Sequence, residues 1–164
     1  MVPRKKNEYV LTLNLGSSSI RAAVVSTNGQ SAWQVVGEAQ RPYRIYRSDG
    51  HSEYFSPEDL TQRVLLCMAK AVQTAEIETT TISCIAVTAQ RGGTGFLDKN
   101  GKTVYVGPNT DTRAIFEGAA IDDQMRAEIY ATTGHLPSML LTPAKLHWWR
   151  EHRSRRARHI ATVT

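Results

Sequence analysis

Apolar and polar positions alternate along residues 8 to 14, "EYVLTLN", break at Leu15-Gly16-Ser17-Ser18-Ser19, and resume with β-branched enrichment over residues 19 to 26, "SIRAAVVS". A period of two between turn residues predicts two strands. "TNGQ", residues 27 to 30, predicts a hairpin because Asn and Gly both accept positive φ, and it leads into a third strand near residues 32 to 40. The opening therefore reads as a three-stranded antiparallel meander.

The pattern then changes period. After the irregular stretch "RPYRIYRSDGHSEYFS", Ser56 is placed to cap a helix, with Pro57 at its first position and Glu58 and Asp59 in its first turn. Leu60, Val64, Cys67, Met68, Ala71 and Val72 fall on one face at helical spacing, which predicts a helix over 57–76. "TISCIAVTA", residues 81 to 89, is short, β-branched and bounded by polar turns, and predicts a buried strand. "DKNGK" predicts a hairpin between strands at 95–98 and 103–106. Two helices are expected near 122–133 and 142–153, with "TGHLPS" as the loop between them. Strands grouped early, a helix and a further strand make an α/β or α+β domain with a mixed sheet and no internal repeat.

Composition narrows the class. With 164 residues, 41% apolar and 21% charged, the chain suits one globular domain with a real core. No apolar run approaches the ~18 residues of a membrane helix, and "MVPRKKNEYV" lacks the apolar stretch of a secretory signal, so no membrane partner and a cytoplasmic location are expected. Cys67 and Cys84 lie in apolar runs and read as small buried hydrophobes without metal-ligand spacing. The net charge of +5 comes largely from Arg4, Lys5, Lys6 and "WWREHRSRRARH". Such terminal runs read as solvated faces, and no nucleic-acid partner is expected.

The interrupted hairpin carries the chemistry. Gly16 allows close approach of an anion, consecutive amides can form a nest, Ser17, Ser18 and Ser19 add donors, and Arg21 can reach a phosphate oxygen with its fork. The pattern is neither GxxxxGK[ST] nor GxGxxG. Taken alone, the stretch is equally well read as an ordinary polar hairpin.

Combined with later segments, the chain resembles the FGGY family of carbohydrate kinases, of the sugar kinase, heat-shock and actin superfamily with a ribonuclease H-like (actin-like ATPase) fold. That family's Asp-x-Gly-Thr-Thr/Ser-Ser-x-Arg phosphate motif stands here as Asn14-Leu15-Gly16-Ser17-Ser18-Ser19-Ile20-Arg21. "HSEYFSPEDL" resembles its Glu-x-x-Pro segment, and "ISCIAVTAQRGGTGFLDKNGK" its Gln-Arg segment bordering the sugar. "PNTDTRA" and "TTGHLPSMLLTPAKLHWWREH" resemble its Trp-x-Asp-x-Arg region followed by Thr-Gly and a Lys-Leu-x-Trp helix. The resemblance covers essentially the whole chain. It implies an α/β domain in which the meander is followed by a helix and a parallel strand. Residues 1–164 would be the sugar-binding part of a first domain that is incomplete here, with the C-terminal ATP-binding domain absent.

The resemblance implies transfer of the ATP γ-phosphoryl group, with Mg2+, to a hydroxyl of a small sugar or polyol such as a xylulose-, fuculose- or autoinducer-like ketose. Gly16, Ser17, Ser18, Ser19 and Arg21 would hold phosphates, and Gln90, Arg91 and Asp111 would line the sugar site. The general base would lie beyond residue 164, so no catalytic residue is assigned here and the chain alone is expected to be inactive. A homodimer is compatible with this reading.

Three departures qualify these expectations. Asn14 replaces the Asp that helps position the metal, which lowers the charge available to Mg2+, although acetate kinases of the same superfamily open in a similar Asn-x-Gly-Ser-Ser-Ser. Asn109 replaces a tryptophan that packs on the substrate, and Gly92 stands where several members carry an acid. The chain stops at "HIATVT", where the family continues, as a truncated piece or a natural fragment. The competing class is a non-catalytic, degenerate kinase module that binds phosphate or a partner protein. Structural readings also stand beside the functional ones: Asp111 and Arg113 can simply pair or cap a helix, Arg91 can be a loop charge, and Trp148 and Trp149 can be packing residues.

Overall fold

The alternation of Leu11 and Leu13 against Ile20, Ala22 and Val24 puts five apolar side chains on one face of a hairpin, and in the computed structural model all five are buried. The structure describes residues 9–27, 33–136 and 138–164. In chain order the elements are β1 (Tyr9–Leu15), β2 (Ser19–Ser26), β3 (Gln34–Pro42), β4 (Tyr46–Arg47), β5 (Glu53–Tyr54), α1 (Pro57–Ala75), a 3-10 turn (Thr79–Thr81), β6 (Ile82–Ala89), β7 (Thr94–Leu97), β8 (Thr103–Gly107), α2 (Ile115–Thr133), α3 (Thr142–His152), α4 (Ser154–Ala157) and β9 (Thr162–Val163). They fall into two units, Met1–Tyr43 with Glu58–Ala89, and Arg44–Pro57 with Gln90–Thr164.

The first unit is a mixed sheet in the order β3-β2-β1-β6. β1 is antiparallel to β2 and parallel to β6, and β2 is antiparallel to β3 with a register shift between Val24 and Val25. The expected meander, helix and parallel strand are thus present, while the tip of the expected hairpin, residues 28–30, lies outside the described residues. Helix α1 covers one face: Cys67 and Ala71 join the buried cluster, and Leu60, Val64, Met68 and Val72 pack against it. The approach is close at β3, where a Cβ on Gly37 would come within 2.4 Å of the Ala75 nitrogen and 2.5 Å of the Ala71 carbonyl.

One expectation fails here. The strand at 82–89 is exposed rather than buried, with Ile85 at 53% and Val87 at 65%, and Cys84 is exposed while Cys67 is buried. The apolar run does form a strand, but among the described residues β6 has only β1 beside it, and the first unit's cluster forms between α1 and the faces of β1 and β2.

The second unit has a two-stranded ribbon of β4 and β5, a three-stranded antiparallel sheet in the order β8-β7-β9, and the helices α2 to α4. The β7–β8 turn is closed by Asp98, whose Oδ1 accepts from the amides of Asn100 and Lys102, with Gly101 at φ +78. The core is aromatic: Phe96, Tyr105 and Trp149 are buried together, with rings 5.5 to 6.2 Å apart. Trp149 is therefore a packing residue, and Arg156 lies over its ring at 5.1 Å while donating to the Val104 carbonyl. Part of the basic stretch thus serves packing. Helix α2 starts at Ile115, seven residues before the expected 122, and includes Gly118 in its first turn. There Gly118 makes room for Met139, whose Cα lies 2.4 Å from where a Cβ would sit. Among the described residues no helix is long and apolar enough to cross a membrane.

Candidate functional site

In the first unit, Leu15 pairs with Ile20, which leaves Gly16 to Ser19 as the turn. The Gly16 amide donates to the Ser19 carbonyl at 3.0 Å, so the turn uses that donor itself rather than offering it to a ligand. The Ser18 carbonyl accepts from the Tyr43 amide at 3.1 Å, and the Ser19 hydroxyl accepts from Gln40 Nε2 at 2.9 Å. Ser17 and Ser18 are exposed at the tip.

Strand register brings Asn14 opposite Arg21, and both are exposed. With Thr12, Glu38 and Gln40 they line a hollow of about 520 Å³. Glu38 was not among the expected site residues. Its signal is the two-residue spacing from Gln40 on β3, which needs the β2–β3 register to be read, because the pairs Arg21 with Gln40 and Ala23 with Glu38 set it. On one sheet face stand a guanidinium that suits a phosphate, Arg21, and two oxygen donors that suit a hard cation, the amide of Asn14 and the carboxylate of Glu38.

In the second unit, Arg91, Gly92, Asn109, Tyr130, His135 and Ser138 line a pocket of about 670 Å³ together with leucines 136, 140 and 141. Its volume falls within the roughly 300–1,000 Å³ of small-molecule sites, and its lining mixes apolar walls with convergent polar groups. Arg91 is exposed and has no ion-pair or hydrogen-bond partner among the described residues. Gln90 braces the neighbouring loop, its Oε1 accepting from the Asn109 amide at 3.1 Å. Gly92 has φ +79, and a Cβ there would meet Asn109 Cβ and the Leu140 carbonyl at 3.5 Å each. A side chain at 92 would occupy the space beside Asn109.

Asp111 is placed differently from Arg91. It is fully buried and accepts from Arg113 Nε at 2.7 Å, from the Tyr105 hydroxyl and from the Glu53 amide at 3.2 Å. Burial, with Asp111 next to it, pushes the Tyr105 hydroxyl upward. Glu53 joins the same network, taking Arg47 at 2.7 Å and the Thr110 hydroxyl. Burial works against its charge, yet Thr110 and Arg47 hold its carboxyl below the ordinary range. Lys145, also absent from the expected site, is fully buried in the first turn of α3 and donates to the carbonyls of Gly92 at 3.2 Å and Pro108 at 3.0 Å.

The mixed β3-β2-β1-β6 sheet with α1 on one face is an α/β arrangement, and its likeness to solved sugar kinases places it in the actin-like ATPase fold. The sequence profile of the FGGY family of carbohydrate kinases, N-terminal domain, matches residues 9–164, and the chain belongs to that family. It is 29% identical to an autoinducer-2 kinase of Klebsiella pneumoniae over 95% of this chain and 30% of that protein. It is 26% identical to the autoinducer-2 kinase of Salmonella typhimurium, over 98% of this chain and 30% of that one. Among solved structures it resembles the xylulose kinase of Rhodospirillum rubrum, with a TM-score of 0.79, 24% identity, and coverage of 94% of this chain and 32% of that one. It also resembles a gluconate kinase from Lactobacillus acidophilus, with a TM-score of 0.82, 14% identity, and coverage of 95% and 31%. The chain thus spans about 30% of the length of the curated relatives it matches.

Proposed function

We propose that residues 1–164 are the sugar-binding part of the first domain of a kinase that transfers the γ-phosphoryl group of ATP to a hydroxyl of a small ketose or polyol, its ATP-binding domain lying outside these residues. The observation that carries this reading is the pocket of about 670 Å³ around Arg91, which has no partner among the described residues, in a chain of the FGGY family. Glycine at 92 and asparagine at 109 leave room and hydrogen-bonding capacity where a bulky ring or a carboxylate would narrow the choice. That favours a short, linear, oxygen-rich acceptor such as the autoinducer-like ketose.

In this reading Arg91 and Asn109 orient the acceptor through its oxygens, and Gln90 fixes the Asn109 loop. Arg21 and the hydroxyls of Ser17, Ser18 and Ser19 hold phosphate oxygens, and Asn14 and Glu38 offer oxygens to a Mg2+ ion. The bound metal supplies charge neutralisation to the transferring group. Positioning then accounts for most of the catalysis, with the general base contributed from beyond residue 164. Asn14 favours one other reading, a kinase-like module that binds phosphate or a partner without turnover.

Replacing Arg91 with alanine in the longest natural form of the protein tests the pocket. A charge-assisted contact of about 2 kcal/mol corresponds to a rise in acceptor KM of roughly 30-fold, with the KM for ATP unchanged. An unchanged acceptor KM would exclude this pocket as the acceptor site.

A further inference from the structure

We propose that Lys145 is a positioning residue for the acceptor pocket, its side chain pinning the Gln90–Gly92 loop to the Pro108–Asn109 loop and so fixing the spacing of Arg91 and Asn109. The inference rests on the pocket being the acceptor site and names a residue that does not itself line it.

Lysine is rarely fully buried without a paired carboxylate. Lys145 is fully buried, has no ion pair among the described residues, and satisfies its Nζ with two backbone carbonyls, those of Gly92 and Pro108. A leucine or methionine would fill the same volume without the cost of desolvating an ammonium, so the donors are what the position requires. Both acceptors are informative: Gly92 lines the pocket, and Pro108 precedes Asn109, which also lines it. The same two loops are joined a second time where Gln90 Oε1 accepts from the Asn109 amide. Its own amide makes the ordinary first-turn bond of α3 to the carbonyl of Leu141, which lines the pocket, so the lysine stands at the helix end that borders it. Two loops that build one pocket are therefore held by one buried side chain.

The pin is sensitive to protonation. Burial pushes the Lys145 ammonium down to about 8, with the Asp111 carboxylate opposing the shift and the Arg113 guanidinium adding to it. Above that pH the amine keeps two donors but loses the charge that strengthens both bonds. Loop spacing should then loosen, and acceptor affinity should fall as pH rises.

The test uses the longest natural form of the protein and the acceptor that gives the most ADP release in a panel of ketoses and polyols with xylulose included. Lys145→Met is expected to raise acceptor KM at least tenfold, with kcat within threefold and the KM for ATP unchanged. Acceptor KM of the wild type is expected to rise at least fivefold from pH 7 to pH 9.5, while that of Lys145→Arg, which stays charged, changes less than twofold across the same range. A folded Lys145→Met with unchanged acceptor KM overturns the proposal. If that variant does not fold, the pH profiles decide, and a wild-type profile as flat as that of Lys145→Arg overturns it equally. Loss of the Arg91→Ala effect would instead reject the pocket itself, and absence of any acceptor would reject the kinase reading on which both depend.

Discussion

Replacing Asp111 with alanine is expected to lower stability by about 3–5 kcal/mol, read as a shift of the denaturant midpoint with the slope unchanged. Asp111 is fully buried and holds Arg113 Nε at 2.7 Å, with the Arg113 side chain only 7% exposed. Removal leaves that guanidinium buried without its carboxylate. Three contacts remain to it, the Glu53 carbonyl at 3.0 Å and the faces of the Tyr105 ring at 4.6 Å and the Trp148 ring at 5.1 Å, and these place the loss toward the lower end of the range. Asp111→Asn keeps the shape and is expected to lose less. An unchanged midpoint would show that the network adds no stability.

Asn14→Asp is expected to act on metal dependence rather than stability. Asn14 is exposed and lines the hollow shared with Arg21 and Glu38, so a new carboxylate there has little burial to overcome. A second negative charge about 4 Å from a divalent cation gains a few kcal/mol in a near-surface environment, less after screening and repulsion from Glu38. The expected net result is a fall of at least about tenfold in the Mg2+ concentration for half-maximal activity of the longest natural form, equivalent to about 1.4 kcal/mol. Unchanged Mg2+ dependence would mean that position 14 does not face the metal. Activity that appears only in Asn14→Asp would mark the natural protein as the non-turnover module.

The sequence carried the local features of the fold, and less of the candidate site. Alternation located β1 and β2, and helical spacing found the buried face of α1 from Leu60 to Val72 because each pattern is imposed by a single neighbouring element. Of Gln90, Arg91 and Asp111, which the resemblance implies for the sugar site, only Arg91 lines the pocket, beside Asn109; Gln90 braces the Asn109 loop and Asp111 is buried in an ion-pair network. The burial of β6 was misjudged, since an apolar strand states a preference for burial and not which element will cover it. The early start of α2, at Ile115 rather than near 122, was missed, and its first turn carries Gly118, against which Met139 packs. Glu38 depends on strand register and Lys145 on the approach of two distant loops, and neither is a local property of the chain.

The central claim is tested most directly by acceptor-dependent ADP formation. The longest natural form of the protein would be given ATP, Mg2+ and a panel of ketoses and polyols, with the 164-residue chain as control. The account predicts ADP release with at least one short, linear acceptor from the longer form, and none from the 164 residues alone. A folded longer form that releases no ADP with any acceptor, while still binding the nucleotide, would contradict it.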